Sequence, residues 1–201
     1  MKIAVIGAAG NLGSRTVAEA LRRGHHVTAL TGTEVDATDP AAVASAVAGH
    51  DASVGATRPL PGHEDQAAVV TRALLSAHAQ AGVRFLMVGG SGSLLVPDSD
   101  NHFVAEDPRW VPAQIHDLAR SAIDQLELCH QNTDTDWTYI APSAQMEPGV
   151  RTGNYRTGAN ELLIDSQGRS YISMEDMAVA ILDEIETPSH RRQRFTVATM
   201  P

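Results

Sequence analysis

The sequence predicts a doubly wound α/β fold, in which helices cover both faces of a parallel sheet. Short apolar runs alternate with amphipathic segments along much of the chain, which is the pattern of strands joined by crossover helices. A glycine-rich segment, Gly7–Gly13, directly follows the first apolar run. The composition, 43% hydrophobic and 19% charged over 201 residues, is that of a globular chain with a substantial core. We therefore expect residues 1–201 to form a single domain.

Apolar runs and helix-capping signals place the individual elements. Apolar runs bounded by turn residues predict strands over residues 3–6, 26–30, 52–56, 84–88, 137–140 and 194–198. Apolar periodicity predicts helices over residues 12–23, 40–49, 64–81, 115–130 and 173–186. Asp39-Pro40 is a typical helix start, and Gly24, Gly49 and Gly82 stand where helices end.

Two regions depart from this alternation. Residues 162–165 and 170–173 flank Ser166-Gln167-Gly168, which predicts a small C-terminal β-hairpin on the substrate side, followed by a helix. In addition, only Thr31–Glu34 separate Leu30 from the strand-like Val35, whereas a parallel crossover needs about 10–12 residues. Either a helix has been lost here or residues of the natural polypeptide are absent from the sequence, and we favour the second explanation.

Charge and residue counts exclude several classes of function. The net charge of -9 argues against a nucleic-acid or anionic-membrane surface. Cys129 is the single cysteine, so an intrachain disulfide is excluded. No apolar run approaches the length of a membrane span, and the first run is typical of a strand rather than of a signal peptide. We therefore expect a cytoplasmic protein.

Lysine and histidine usage narrows the chemistry further. Lys2 is the only lysine, which excludes both the Tyr-x-x-x-Lys pair of conventional short-chain dehydrogenases and the lysine of a Walker-type phosphate loop. The nine histidines show no recognisable metal-ligand spacing, so no metal site is expected.

The glycine-rich segment predicts a dinucleotide site. Gly7 permits a tight turn off the strand, Gly10 lets the backbone approach a pyrophosphate, and Gly13 lets the helix pack closely on the sheet. The N-terminus of the following helix supplies free N–H groups and a positive dipole end. The candidate cofactor-binding residues here are Gly7, Ala9, Gly10, Asn11, Leu12 and Gly13.

Several longer motifs carry a family resemblance. They are the G-x-x-G-x-x-G loop, Gly89-Gly90-Ser91-Gly92-Ser93-Leu94, Asp136-Trp137-Thr138-Tyr139, Glu147-Pro148-Gly149-x-Arg151-Thr152-Gly153-x-Tyr155-Arg156 and Arg192-x-Arg194-Phe195-Thr196-Val197. Together they resemble the NmrA-like, NADH-flavin reductase group of atypical short-chain dehydrogenase/reductases, over almost the whole chain. The resemblance implies a Rossmann fold, NAD(P) binding and a reductase activity.

The resemblance also implies further cofactor contacts. Asp36 matches an aspartate beside the adenine, although it could equally be a solvated loop residue. Ala56, Thr57 and Arg58 match a loop that passes the ribose, although Arg58 could simply be exposed. No acid directly follows Leu30 at the end of the second strand, which favours NADP(H) over NAD(H).

Candidate catalytic residues follow the strand over residues 84–88. Gly89 and Gly90 are expected at the cofactor, Ser91 at the reaction centre and Ser93 at the substrate, although serines also make local turns. His116 and Arg120 share one helix face with i, i+4 spacing, which makes His116 a second catalytic candidate. A plain surface pair is the favoured explanation for that spacing.

Residues 146–155 are expected to cross the mouth of the site. Met146, Arg151 and Tyr155 are candidates to contact the substrate, with Tyr155 stacking on a flat ring; the alternative is a structural loop. Two functions remain open: an NAD(P)H-dependent reductase of a flavin, quinone or similar flat acceptor, and a non-catalytic NAD(P)-binding redox sensor of NmrA type. An open pocket would favour the enzyme. Either protein is expected to be a monomer or a homodimer.

Overall fold

The computed structural model describes residues 1–60 and 62–200. Its strands are Lys2–Ile6 (β1), His26–Leu30 (β2), Ala52–Gly55 (β3), Arg84–Val88 (β4), Trp137–Ala141 (β5), Gln145–Glu147 (β6), Tyr155–Gly158 (β7), Tyr171–Ser173 (β8) and Arg194–Thr199 (β9). Its α-helices are Asn11–Arg22 (α1), Pro40–Val47 (α2), Gln66–Ala81 (α3), His116–Gln131 (α4) and Met174–Glu186 (α5).

A seven-stranded sheet organises these elements in the order β2-β1-β3-β4-β5-β9-β7. Neighbouring strands from β2 to β9 run parallel, and β7 is antiparallel to β9. The chain moves outward from β1 in opposite directions, to β2 on one side and to β3 on the other. This reversal opens a crevice at the carboxyl ends of β1 and β3, and the predicted doubly wound Rossmann fold is confirmed.

Hydrophobic layers on the two faces of the sheet hold the helices in place. One layer joins Val43 of α2, Leu74 of α3 and Leu126 of α4 to alternate residues of the strands. The other joins Ala20 of α1 and Ile181 of α5 to the opposite face. Among the described residues, no helix has the length and apolar character that a membrane crossing requires.

Local capping explains where several helices begin and end. The Asp39 carboxylate accepts hydrogen bonds from the N–H groups of Ala41 and Ala42 at the start of α2. Gly82 ends α3 with φ +64°, a left-handed conformation that suits glycine. Ser173 Oγ accepts from the N–H of Asp176 at the start of α5. These predicted helix boundaries are confirmed.

The connection between β2 and β3 differs from the prediction. The N–H groups of Glu34 and Val35 both donate to the carbonyl of Thr31, so the chain turns sharply after β2. Val35 is buried in the core but belongs to no strand, and α2 follows it and provides the crossover to β3. Val35 therefore does not start a strand, contrary to the prediction. The expectation that residues of the natural polypeptide are absent here stays a prediction.

The predicted C-terminal hairpin was also wrong, although its turn and the following helix are present. Gly168 adopts φ +77° and donates its N–H to Asp165. However, β8 pairs in parallel with β6 rather than with residues 162–165. The reason is that Leu162 is buried and donates its N–H to Leu95, which draws this segment away from β8.

Candidate functional site

A cleft of about 590 Å³ lies over the carboxyl ends of β1, β3, β4 and β5. Ligand pockets in proteins commonly have volumes of about 300–1,000 Å³, so the cleft is large enough for a cofactor or a substrate. Most of its lining comes from the glycine loop after β1, residues 56–59 after β3, residues 88–92 after β4, and the face of α4 that points inward. The other lining residues are Thr31, Gly32, Pro142, Ala144, Met146 and Met174.

The three glycines of the first loop differ in how strictly the fold requires glycine at each position. Gly7 has φ +83°, and a Cβ there would lie 2.6 Å from the carbonyl oxygen of Ala56. A Cβ on Gly13 would lie 2.1 Å from the carbonyl oxygen of Gly7, so the packing of α1 on the loop requires glycine. A Cβ on Gly10 would lie 3.2 Å from that same oxygen. The fold therefore needs Gly7 and Gly13 far more than it needs Gly10.

The N-terminus of α1 opens directly into the cleft. Gly10 is its N-cap, no side chain within the described chain caps it, and Asn11 and Leu12 of the first turn line the cleft with Gly10. Backbone N–H groups in a first turn have no partner within the helix. This end of the cleft is thus suited to an anion such as a pyrophosphate.

Residues 89–92 lie flat against α4 because they carry no bulky side chains. A Cβ on Gly89 would lie 1.8 Å from the ring of Tyr139, and a Cβ on Gly92 would lie 2.1 Å from the carbonyl oxygen of Ala119. Gly89, Gly90 and Ser91 line the cleft on the other side of this segment. The small residues therefore keep the space above β4 open.

Tyr139 fixes this segment from below. Its hydroxyl donates to the carbonyl of Ala122 at 3.1 Å and accepts from the N–H of Gly90 at 3.2 Å. Burial raises the pKa of Tyr139 to about 12, so the hydroxyl stays protonated at neutral pH. Ser93 is buried and donates to the carbonyl of Gly90 at 2.9 Å. It stabilises the segment and does not line the cleft, contrary to the expectation that it contacts substrate.

The wall formed by α4, by residues 142–146 after β5 and by Met174 is largely apolar. Its apolar lining comprises Leu118, Ala119, Ala122, Pro142, Ala144, Met146 and Met174. Ser121 and Gln125 add polar groups from α4. Arg58 is the one residue with a titratable side chain in the lining that the structure describes. This wall suits a flat apolar ring and carries no carboxylate, imidazole or amine.

Asp36 and His116 lie outside the cleft lining. The Asp36 carboxylate accepts from the N–H and hydroxyl of Thr38, contacts that hold its pKa below the usual range. This arrangement agrees with the alternative of a solvated loop residue. The His116 side chain is 47% exposed, with Nδ1 3.3 Å from the Asp117 carboxylate. Its placement on the outer surface does not fit the catalytic expectation.

Arg151 and Tyr155 also turn away from the cleft. Arg151 makes two hydrogen bonds to the Glu19 carboxylate, at 2.8 and 3.0 Å. The Tyr155 hydroxyl donates to Asp183, and that contact together with burial raises the pKa of Tyr155. Neither residue lines the cleft. The expected contacts with substrate are therefore not supported, because carboxylates of α1 and α5 engage both side chains.

The loop over residues 148–154 is likewise held by carboxylates of α5. Gly149 donates its N–H to Glu175, and Thr152 and Gly153 donate theirs to Asp176. The loop therefore crosses the start of α5 instead of the mouth of the cleft, and only Met146 of the predicted substrate residues lines the cleft.

The sequence analysis missed several lining residues. Leu118, Ala122 and Gln125 recur at i, i+4 and i+7 on α4, a spacing that could have identified the inward face. Met174 reaches the cleft after the parallel pairing of β8 with β6, a long-range contact that leaves no local signal.

Comparison with known proteins identifies the family. A family model described as NAD(P)H-binding matches residues 7–188. The chain belongs to this family. Its family model and structural neighbours are of the atypical short-chain dehydrogenase/reductase type. The family model supports a nicotinamide cofactor.

Relatives of known sequence or structure match over nearly the full chain. The uncharacterized protein YwnB of Bacillus subtilis is 36% identical, covering 99% of each chain. A solved structure of a putative exported protein from Burkholderia pseudomallei is 39% identical, with a TM-score of 0.91 and coverage of 98% of this chain and 99% of that one. A putative NADH-flavin reductase from Streptococcus pneumoniae is 27% identical, with a TM-score of 0.89 and full coverage of both chains.

Within residues 1–60 and 62–200, no three His, Cys, Asp or Glu side chains are grouped so that they could hold a metal ion.

Proposed function

We propose that this protein is an NAD(P)H-dependent reductase whose acceptor is a flavin, a quinone or a similar flat molecule. The family and its structural neighbours support an NAD(P)H-dependent oxidoreductase. The observation that carries the finer proposal is the cleft itself, which has a glycine cradle at one end and an apolar wall nearly free of charge at the other. When bound, the nicotinamide cofactor supplies the hydride.

The residues present fit such a cofactor. The open N-terminus of α1 and the bare backbone at Gly10 suit its pyrophosphate. Ala56, Thr57 and Arg58 line the cleft beyond β3 and would contact a ribose or a phosphate. Gly89, Gly90 and Ser91 lie above β4, where they would position the nicotinamide.

The acceptor end lacks a side chain suited to general acid catalysis. In its described lining, Ser91, Ser121 and Gln125 are hydrogen-bonding groups that do not ionise near neutral pH, and the lining contains no carboxyl, imidazole or amine group. Reduction of a ketone needs a proton donor at the new alkoxide, whereas a reduced flavin or quinone delocalises its charge. Met146 and Met174 offer adaptable apolar surface for a flat ring.

A non-catalytic redox sensor of NmrA type is the alternative function. A sensor would be favoured by a cleft that the loop over residues 146–155 fills, together with an exposed apolar patch elsewhere. Because residues 148–154 of that loop are held on α5 and the cleft is open, the loop position supports the enzyme. A cytoplasmic location and a monomeric or homodimeric state stay predictions.

The predicted preference for NADPH also stays a prediction. It depends on the lack of an acid directly after Leu30. The position of Glu34 in the folded chain opposes this preference, because its carboxylate lies at the end of β2.

The decisive experiment measures NAD(P)H oxidation by the purified protein with a panel of flavins and quinones. We expect turnover with at least one of them, and loss of turnover in Gly10→Ala, which alters the cradle but not the acceptor wall. Tight cofactor binding without oxidation by any acceptor would contradict the enzyme and favour the sensor.

A further inference from the structure

A carboxylate lies at the tip of β2, at the edge of the cleft. The N–H of Thr31 donates to Oε2 of Glu34 at 2.7 Å, and the Thr31 hydroxyl donates to the same oxygen. Thr31 and Gly32 both line the cleft. The Glu34 side chain therefore folds back onto the strand end that borders the site.

The sharp turn after β2 is what brings Glu34 there. The N–H groups of Glu34 and Val35 donate to the carbonyl of Thr31, which closes the turn. Val35 is buried in the core and anchors its far side. A carboxylate four positions beyond Leu30 thus reaches the place where an acid directly after the strand would lie.

The Glu34 carboxylate is charged and has free hydrogen-bonding capacity. Its two recorded hydrogen bonds both use Oε2, and within the described chain none is recorded for Oε1. The hydrogen bonds from Thr31 hold the pKa of Glu34 below its usual range. An exposed acceptor oxygen is therefore available at the rim of the cleft.

The segment around Glu34 contains no positive charge that would balance the Glu34 carboxylate. Residues 31–39 contain three carboxylates and no lysine, arginine or histidine. The other two are occupied locally, Asp36 by Thr38 and Asp39 by the start of α2. Arg58 lines the cleft from the segment after β3 rather than from the turn after β2.

We propose that Glu34 determines cofactor choice and makes the protein selective for NADH over NADPH. An adenosine ribose with free hydroxyls can donate a hydrogen bond to this carboxylate, whereas a 2′-phosphate would place two anions side by side. The assignment rests on the proposed function in one respect, that the dinucleotide occupies this cleft.

Fluorescence titration with NADH and NADPH tests the assignment directly. For the unmodified protein we expect NADH to bind at least about tenfold more tightly than NADPH, a difference of about 1.4 kcal/mol. Glu34→Gln keeps an oxygen that can accept from Thr31 but loses the charge, so the ratio should fall to about threefold or less. Glu127→Gln removes an exposed carboxylate from α4, outside the cleft lining, and should leave the ratio unchanged.

A competition experiment on the unmodified protein does not depend on the folding of any variant. ADP-ribose should displace NADH more effectively than 2′-phospho-ADP-ribose does. Tighter binding of NADPH, or an unchanged ratio in Glu34→Gln, would overturn the assignment and leave the proposed function standing. Failure of both dinucleotides to bind would overturn the proposed function and the assignment with it.

Discussion

The cleft and the opposite flank of α1 are built on different principles. The cleft is lined by glycines, small residues and apolar side chains, with Arg58 as the titratable side chain in its described lining. On the flank, Glu19 binds Arg22, Arg23 and Arg151, and Arg23 also binds Asp183. These five residues are called the α1–α5 ion network here.

This difference shows which residues are free to act on a ligand. Arg151 resembles a site residue in the sequence, yet its guanidinium is already bound to Glu19, whose side chain is 5% exposed. The glycine segments look like simple turns, yet they leave backbone N–H groups and open space. In this protein, ion pairs stabilise the packing of α1 against α5, whereas glycines and small residues form the cleft.

The largest expected effect separates two glycines of the same loop. Gly13→Ala forces a Cβ to within 2.1 Å of the carbonyl oxygen of Gly7, so we expect a loss of about 3 kcal/mol or more in the free energy of unfolding. Gly10→Ala should cost about 1 kcal/mol or less. It should nevertheless weaken cofactor binding by roughly a hundredfold. Chemical denaturation and calorimetric titration measure both quantities, and equal effects of the two variants on both would refute the distinction.

The next effect tests the α1–α5 ion network. Glu19→Gln removes the carboxylate that Arg22 and Arg151 bind and one of the carboxylates that Arg23 binds, so we expect a loss of about 3 kcal/mol in the free energy of unfolding. Cofactor affinity should change little, because Glu19 lies outside the cleft lining. Denaturation with and without the cofactor checks both statements.

Lowering the pH should reduce the difference in stability between the wild type and Glu19→Gln. Hydrogen bonds from Arg22, Arg151 and Arg23 outweigh burial and hold the pKa of Glu19 far below its usual value of 4.5. The folded state therefore favours the ionised form, so the stabilisation is present in full above the usual pKa of 4.5 and is lost progressively as the pH falls from there towards the lowered pKa of the folded state. The gap between wild type and Glu19→Gln should shrink between pH 6 and about pH 2. A constant gap would show that the carboxylate charge is not the source.

A smaller effect contrasts Ser91 with His116. Ser91→Ala should slow single-turnover hydride transfer roughly tenfold, about 1.4 kcal/mol in the barrier, because Ser91 lines the cleft above β4. His116→Ala should change the rate less than about twofold, since the side chain is on the outer surface. A loss of roughly a thousandfold in His116→Ala, with binding intact, would identify a general acid and indicate a carbonyl or imine acceptor.

The smallest effect concerns Tyr155, which the sequence placed at the substrate. Tyr155→Phe removes the hydrogen bond to Asp183 and should cost about 1 kcal/mol of stability, with acceptor KM unchanged. Met146→Ala removes apolar surface from the cleft and should instead raise acceptor KM. A KM that rises in Tyr155→Phe and not in Met146→Ala would reverse the roles given to the two residues.

Local signals in the sequence were sufficient to predict many of the helices and strands and the glycine loop of the candidate site. Asp39 and Gly82 mark helix ends through contacts with residues close in sequence, and the glycine loop depends on a single strand-turn-helix unit. The placement of Gly7, Gly10 and Ser91 at the cleft could therefore be predicted.

Contacts between residues that are far apart in the sequence could not be predicted from such local signals. The turn before Arg169 suggests a hairpin, but β8 takes β6 as its neighbour. The motif around Arg151 and Tyr155 does not reveal that Glu19 and Asp183 lie beside it in the fold. Likewise, no pattern in the sequence shows that a turn after β2 returns Glu34 to the strand tip.

The position of β9 between β5 and β7 has a consequence for synthesis on the ribosome. A nascent chain that has not yet exposed residues 194–199 lacks the strand to which β7 is hydrogen-bonded and leaves the outer edge of β5 open. Open strand edges are templates for unwanted pairing. All four strands that carry the cleft, β1, β3, β4 and β5, precede β9 in the chain and can pair before it emerges. The side of the sheet beyond β5 cannot form until β9 is available, so it is the part of the nascent chain most exposed to misfolding.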